Sequence, residues 1–138
     1  MLLKKPIAMN SKIVVRPVQA SPPLGPYSHA VRTGNLLFCS GQIPVDPATG
    51  ELVSGDIQAQ TRQVLLNIQS LLQSEKLTFD HVIKSTVYLT DLRDFALMNK
   101  IYAEFFRRDP PARSTVQVAA LPKGAGIEIE VMAAYPAA

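Results

Sequence analysis

Residues 56–75 read DIQAQTRQVLLNIQSLLQSE and residues 81–90 read HVIKSTVYLT, and the change of period between them decides the fold. In the first stretch Ile57, Val64, Leu65, Ile68, Leu71 and Leu72 recur mostly at steps of three and four, the stripe of an amphipathic helix. The second is rich in β-branched residues and reads as a strand. A second helix follows it. Asp94 stands where an N-cap belongs, and Phe95, Met98, Ile101, Tyr102 and Phe105 share one side. Asp109-Pro110-Pro111 stops that helix, because proline removes a donor and restricts the residue before it.

Upstream, residues 12–16 (KIVVR) are strand-like, and Ser21-Pro22-Pro23 with Gly25-Pro26 forces an irregular loop. Residues 29–32 and 36–45 read as two strands about a turn at Thr33-Gly34-Asn35, ended by Asp46-Pro47. Downstream, residues 114–120 and 126–134 read as two more strands. The order is βββαβαββ, an α+β domain with both helices on one face of a mixed sheet. Along the last strand Ile127, Ile129 and Val131 share one face, and Glu128, Glu130 and Met132 the other. Two helices cover one side only. The apolar residues of 36–38 and 82–87 that face away need another cover, and further copies of the chain are the natural one. Residues 12–138 are expected to form a single domain and residues 1–11 a flexible extension.

Composition removes several classes of function. The 138 residues carry a net charge of +3, partly from Lys4, Lys5, Lys12 and Arg16, with no basic stripe, which argues against nucleic acid as a partner. No apolar run reaches signal or membrane-spanning length, so a cytoplasmic address without a membrane partner is expected. Cys39 is the single cysteine; no disulfide can form within the chain, which fits a reducing compartment. Cys39, His29 and His81 lack ligand spacing, so no metal is expected. Ser28 and His29 are adjacent in an extended segment and point apart, which rules against a serine triad. The glycines match neither a phosphate loop nor a dinucleotide fingerprint, and no cofactor is expected.

The remaining chemistry belongs to arginine, carboxylate, hydroxyl and backbone groups. Arg113 begins a strand after Pro111-Ala112, with Thr115 and Gln117 on its face; its planar fork suits a carboxylate. The residues alone favour a plainer role, a salt bridge to Glu128 or Glu130. Glu128 is either a general acid or base or the polar half of an alternating strand. Tyr27 either donates a hydrogen bond into a cleft or packs in its proline-rich loop. Ser40-Gly41 inside an apolar strand marks a kink or a close approach of backbone or ligand. Cys39 reads as an inert buried thiol.

Pro111-Ala112-Arg113-Ser114, Leu121-Pro122-Lys123 and Ile127-Glu128-Ile129-Glu130 together closely resemble the C-terminal signature of the RidA (YjgF) family. Gly25-Pro26-Tyr27-Ser28, Ser40-Gly41-Gln42-Ile43-Pro44 with Thr49-Gly50, and Val87 through Asp91-Leu92 with Asp94-Phe95 and Asn99 resemble it in the same order. The likeness runs from about Lys12 to Tyr135. It implies a chorismate-mutase-like fold and a homotrimer with three clefts between subunits, Tyr27 and Arg113 coming from different subunits. It implies Arg113, Glu128, Tyr27 and Thr115 as catalytic residues, and Arg113, Ser40, Gly41 and Asn99 as substrate-binding ones. Two positions depart from the pattern: Thr115 stands where many members carry cysteine, and Arg107-Arg108-Asp109-Pro110 is a shorter connection than in several relatives.

The reaction that the resemblance implies is hydrolysis of the enamine or imine forms of 2-iminopropanoate and 2-iminobutanoate to 2-keto acids and ammonia. Arg113 would anchor the carboxylate and Glu128 would polarise the attacking water. Two rivals share the same anchor: a paralogue acting on a different imine, and a non-catalytic trimer binding 2-keto acids or a protein partner.

Overall fold

The computed structural model describes residues 11–137, so the expected extension at 1–11 lies, apart from Ser11, outside the described residues. Eight regular elements appear in the expected order: β1 (Ile13–Val15), β2 (Ala30–Thr33), β3 (Leu36–Gln42), α1 (Ile57–Ser74), β4 (Val82–Leu89), α2 (Phe95–Phe105), β5 (Ala112–Gln117) and β6 (Ile127–Ala134). The strands form one six-stranded sheet in the order β1-β2-β3-β6-β4-β5. All neighbours run antiparallel except β4 and β5, which are parallel and joined through α2. The chain's last strand thus lies in the middle of the sheet.

Strand β6 shows why. Ile127, Ile129, Val131 and Ala133 are all buried beneath the helices, and α1 lays Val64, Leu65, Ile68, Leu71 and Leu72 on them and on their neighbours in the same core. Each such side chain contributes roughly 1.5–3 kcal/mol. Under α2 an aromatic group completes the core: Phe79 meets Phe105 and Phe106 edge-on at 5.4 and 4.9 Å, and Tyr102 stacks on Phe106 at 4.4 Å. Among the described residues no helix covers the opposite face of the sheet, and Phe38 and Val116 there remain 41% and 42% exposed. No helix among the described residues is long and apolar enough to cross a membrane.

Several boundaries differ from the sequence reading, each for a local reason. The strand expected over 36–45 stops at Gln42, because Pro44 has no N–H to offer and the carbonyls of Ile43 and Val45 accept from the Asn67 side chain on α1, at 3.4 and 2.8 Å. The strand expected over 114–120 is Ala112–Gln117, since its partner β4 runs out at Leu89, whose carbonyl takes the last rung from Val118 N–H. Asp94 is not the cap of α2: its backbone is already helical and its side chain makes no capping bond. A 3₁₀ turn, Leu92–Asp94, leads into α2, and Asp91 caps that turn by accepting from Arg93 N–H at 2.9 Å.

The cap of α1 is Asp56, whose Oδ1 accepts from Ala59 N–H at 3.0 Å. Asp56→Ala should therefore lower stability by about 1 kcal/mol, and Asp94→Ala by no more than about 0.5 kcal/mol, as read from urea unfolding of the two variants.

Candidate active site

Residues with chemical potential gather in two places. The first lies on the helix side of the edge strand β5. In the parallel register Arg113 pairs with Ser85, Thr115 with Val87 and Gln117 with Leu89; Ser85, Val87 and Leu89 are all buried toward the helices, so Arg113 and Thr115 face α2. The Arg113 guanidinium carbon lies 4.7 Å from the ring centre of Tyr102 and 5.5 Å from that of Phe95. Cation–π contacts of this kind are worth about 0.5–2 kcal/mol. Among the described residues no carboxylate stands within ion-pair distance of Arg113; the pairs that form are Arg62–Glu104, Arg93–Asp91 and Arg108–Asp80.

The salt bridge to Glu128 or Glu130 is therefore not made. Both glutamates leave the opposite face of the sheet, and Glu130 accepts from the Tyr88 hydroxyl at 3.0 Å. Close to Arg113, the hydroxyl of Thr115 is buried with no hydrogen-bond partner among the described residues. A buried hydroxyl left so costs about 1–3 kcal/mol. Asn99, part-buried on α2, is four residues past Phe95 and three before Tyr102, and so belongs by helical spacing to the same face.

The second place is the bulge of β3. The β3–β6 register slips between Cys39 and Gln42, and Glu128 leans across the slip so closely that a Cβ on Gly41 would stand 2.0 Å from its Oε1. The sequence expected a kink, or a close approach of backbone or ligand, at Ser40-Gly41; the strand slips register there, and the group that comes close is this side-chain carboxylate. Burial, and secondarily the charge of Glu130, push the Glu128 carboxyl above the usual carboxylate range. Ser40 ties the proline-rich loop to β3: its Oγ donates to Ser28 O at 2.6 Å and its N–H to His29 O at 2.9 Å. Tyr27, 47% exposed, turns back on its own loop, its hydroxyl accepting from Leu24 N–H at 3.1 Å. Tyr27 and Gly41 border a groove of about 950 Å³ that continues between this loop and the end of α1 at Leu71 and Glu75.

The two groups do not meet within one chain. Glu128 on β6 and Arg113 on β5 are separated by β4, with Glu128 level with Tyr88 and Arg113 level with Ser85. Two strand spacings and a three-residue offset put their Cα atoms roughly 14 Å apart, on opposite faces. Sequence reasoning had placed Phe95 and Tyr102 in a core stripe and had not marked Ser85. The available signal was a serine on a strand face otherwise built of Val87 and Leu89.

Cys39 is buried, and desolvation pushes its thiol up to about 12, which leaves it a poor nucleophile. Among the described residues no cluster of His, Cys, Asp and Glu is placed to hold a metal ion.

A family profile described as Endoribonuclease L-PSP matches residues 18–135. A RutC family protein of Pyrococcus horikoshii is 53% identical over 122 residues, spanning 88% of this chain and 97% of its own. The human protein named 2-iminobutanoate/2-iminopropanoate deaminase is 43% identical over 120 residues, or 87% of this chain and 88% of its own. The crystal structure of RidA from an Antarctic Psychrobacter matches with a TM-score of 0.81 at 42% identity, covering 84% of this chain and 94% of that one. With its helices, strand order and sequence all matched over most of its length, the chain belongs to the RidA (YjgF) family.

Proposed function

We propose that this chain hydrolyses the imine and enamine forms of small 2-keto acids, 2-iminopropanoate and 2-iminobutanoate, releasing the keto acid and ammonia. The observation that carries the reading is Arg113, a part-buried guanidinium held by aromatic rings and free of any carboxylate among the described residues. Such a fork lacks only an anion, and a bidentate carboxylate is the partner its geometry fits. The name of the human relative supports the substrate class.

The chemistry asks little more. Water adds to C2 of the protonated imine and one of its protons passes to nitrogen. The C–N bond then breaks with its electron pair leaving on ammonia, while the remaining hydroxyl proton is lost as the carbonyl forms and is taken up by that ammonia as ammonium. Glu128 accepts the proton from water and returns it to the departing nitrogen. Its raised proton affinity suits a group that must both take up and give back a proton. The Thr115 hydroxyl, buried without a partner among the described residues, and the Tyr27 phenol hold the water and the nitrogen in line. Because the sheet stands between Arg113 and Glu128, the cleft is assembled between copies, Arg113 from one and Tyr27 and Glu128 from the next. The exposed Phe38 and Val116 on the uncovered face supply apolar surface for a homotrimer. A binder without turnover would take up the keto acid and release none from freshly generated iminopropanoate.

Arg113→Lys should lose on the order of 100-fold in kcat/KM, nearly as much as Arg113→Ala, because a point charge cannot align both carboxylate oxygens. Steady-state hydrolysis of iminopropanoate, with oligomer size checked by sedimentation, measures it. Turnover of Arg113→Lys near the parent rate would return Arg113 to a structural role. Gly41→Ala should displace the Glu128 carboxylate and cut kcat about tenfold or more while the circular dichroism spectrum and sedimentation stay those of the parent. An unchanged kcat would remove Glu128 from the reacting centre.

A further inference from the structure

Arg113 is held, yet nothing ionic among the described residues holds it. We infer that Tyr102, braced by Ser85, is a positioning residue that aims the Arg113 guanidinium; this rests on the reading of Arg113 as the carboxylate receptor. A carboxylate neighbour would fix an arginine equally well, but it would occupy the N–H donors that an incoming substrate needs. A tyrosine attracts the cation through its π-face, and its hydroxyl can engage no more than part of the fork, so that most of the N–H donors stay available.

Tyr102 is built to be such a platform. It is 6% exposed, its ring stacks on Phe106 at 4.4 Å with an interplanar angle of 28°, and Phe106 is itself wedged by Phe79. Its hydroxyl lies 2.6 Å from Ser85 Oγ. Ser85 is fully buried and sits directly across from Arg113 in the β4–β5 register. The hydroxyl pair therefore locks the ring to the very rung of the sheet from which Arg113 departs. Burial raises the Tyr102 phenol, and the Ser85 hydrogen bond, then the Arg113 charge and a hydrogen bond with Arg113, pull it part of the way back. Phe95, at 5.5 Å and 41% exposed, is the outer ring of the same enclosure.

The test is a double-mutant cycle with pyruvate as the probe, its dissociation constant measured by NMR titration on the assembled protein for Tyr102→Leu, Arg113→Ala and the double variant. Tyr102→Leu should weaken pyruvate on the order of tenfold, and the loss should vanish when Arg113 is already alanine. Losses that simply add would make Tyr102 a core residue and overturn the inference. If Tyr102→Leu fails to assemble, Tyr102→Phe and Ser85→Ala, which keep the packing, are read in the same cycle. Each should weaken pyruvate severalfold, again only while Arg113 is present, and no effect in either overturns the inference. Should Arg113→Ala itself bind pyruvate as the parent does, the receptor reading falls as well; if only the tyrosine and serine variants are silent, the receptor stands and the positioning role does not.

Discussion

A β-sheet is one residue thick, and side chains one step apart leave it on opposite sides. That alternation divides the chemistry of this chain. Toward the helices go Arg113 and Thr115, among Phe95, Tyr102 and Ser85; toward the uncovered face goes Glu128, bent over Gly41. Strand β6 lies between β3 and β4 with its alternate residues fully packed, so a slip of one residue that turned Glu128 inward would expose Ile127, Ile129 and Val131. The core thus holds the two halves of the chemistry apart as firmly as it holds the fold together. A substrate of a few carbon atoms cannot reach both from within one copy. The proposed cleft between copies answers that division, and the uncovered face gives the copies something to bury.

The electrostatic arrangement follows the same division. On the helix side a cation is kept without a counter-charge among the described residues, its desolvation offset in part by aromatic faces. On the other side two carboxylates stand close together on β6, and burial and mutual repulsion keep Glu128 more basic than an ordinary glutamate. One half is suited to attract an anion and the other to handle a proton. Thr115, with a buried hydroxyl that nothing among the described residues satisfies, brings a polar group to the edge of the cationic half.

Much of this was legible in the sequence. The helical stripe of 56–75, the β-branched run of 81–90 and the two-residue period of 126–134 are local signals, and each became the element it announced. Element ends were less legible because partners elsewhere set them: Asn67 takes the carbonyls that would have prolonged β3, and the end of β4 ends β5. Asp94 looked like a cap because it precedes the apolar stripe, but an extra turn moved that task to Asp91. At the site, the period of two told which residues share a strand face. It could not tell that β6 and β5 would flank β4, and so could not show that Glu128 and Arg113 point apart. Tyr102 was read as core, correctly, and its contact with Arg113 came only with the packing of α2 on the sheet.

The most direct test of a site divided between copies is complementation. Arg113→Ala and Glu128→Gln chains, each expected to be inactive alone, are denatured together in equal amounts and refolded, and iminopropanoate hydrolysis is measured. If each cleft takes its arginine from one copy and its glutamate from another, random assembly leaves about a quarter of the clefts whole, and about a quarter of the parent activity returns. If both residues act from the same chain, no mixture contains an intact cleft. A mixture no more active than its separate components would then contradict the shared site.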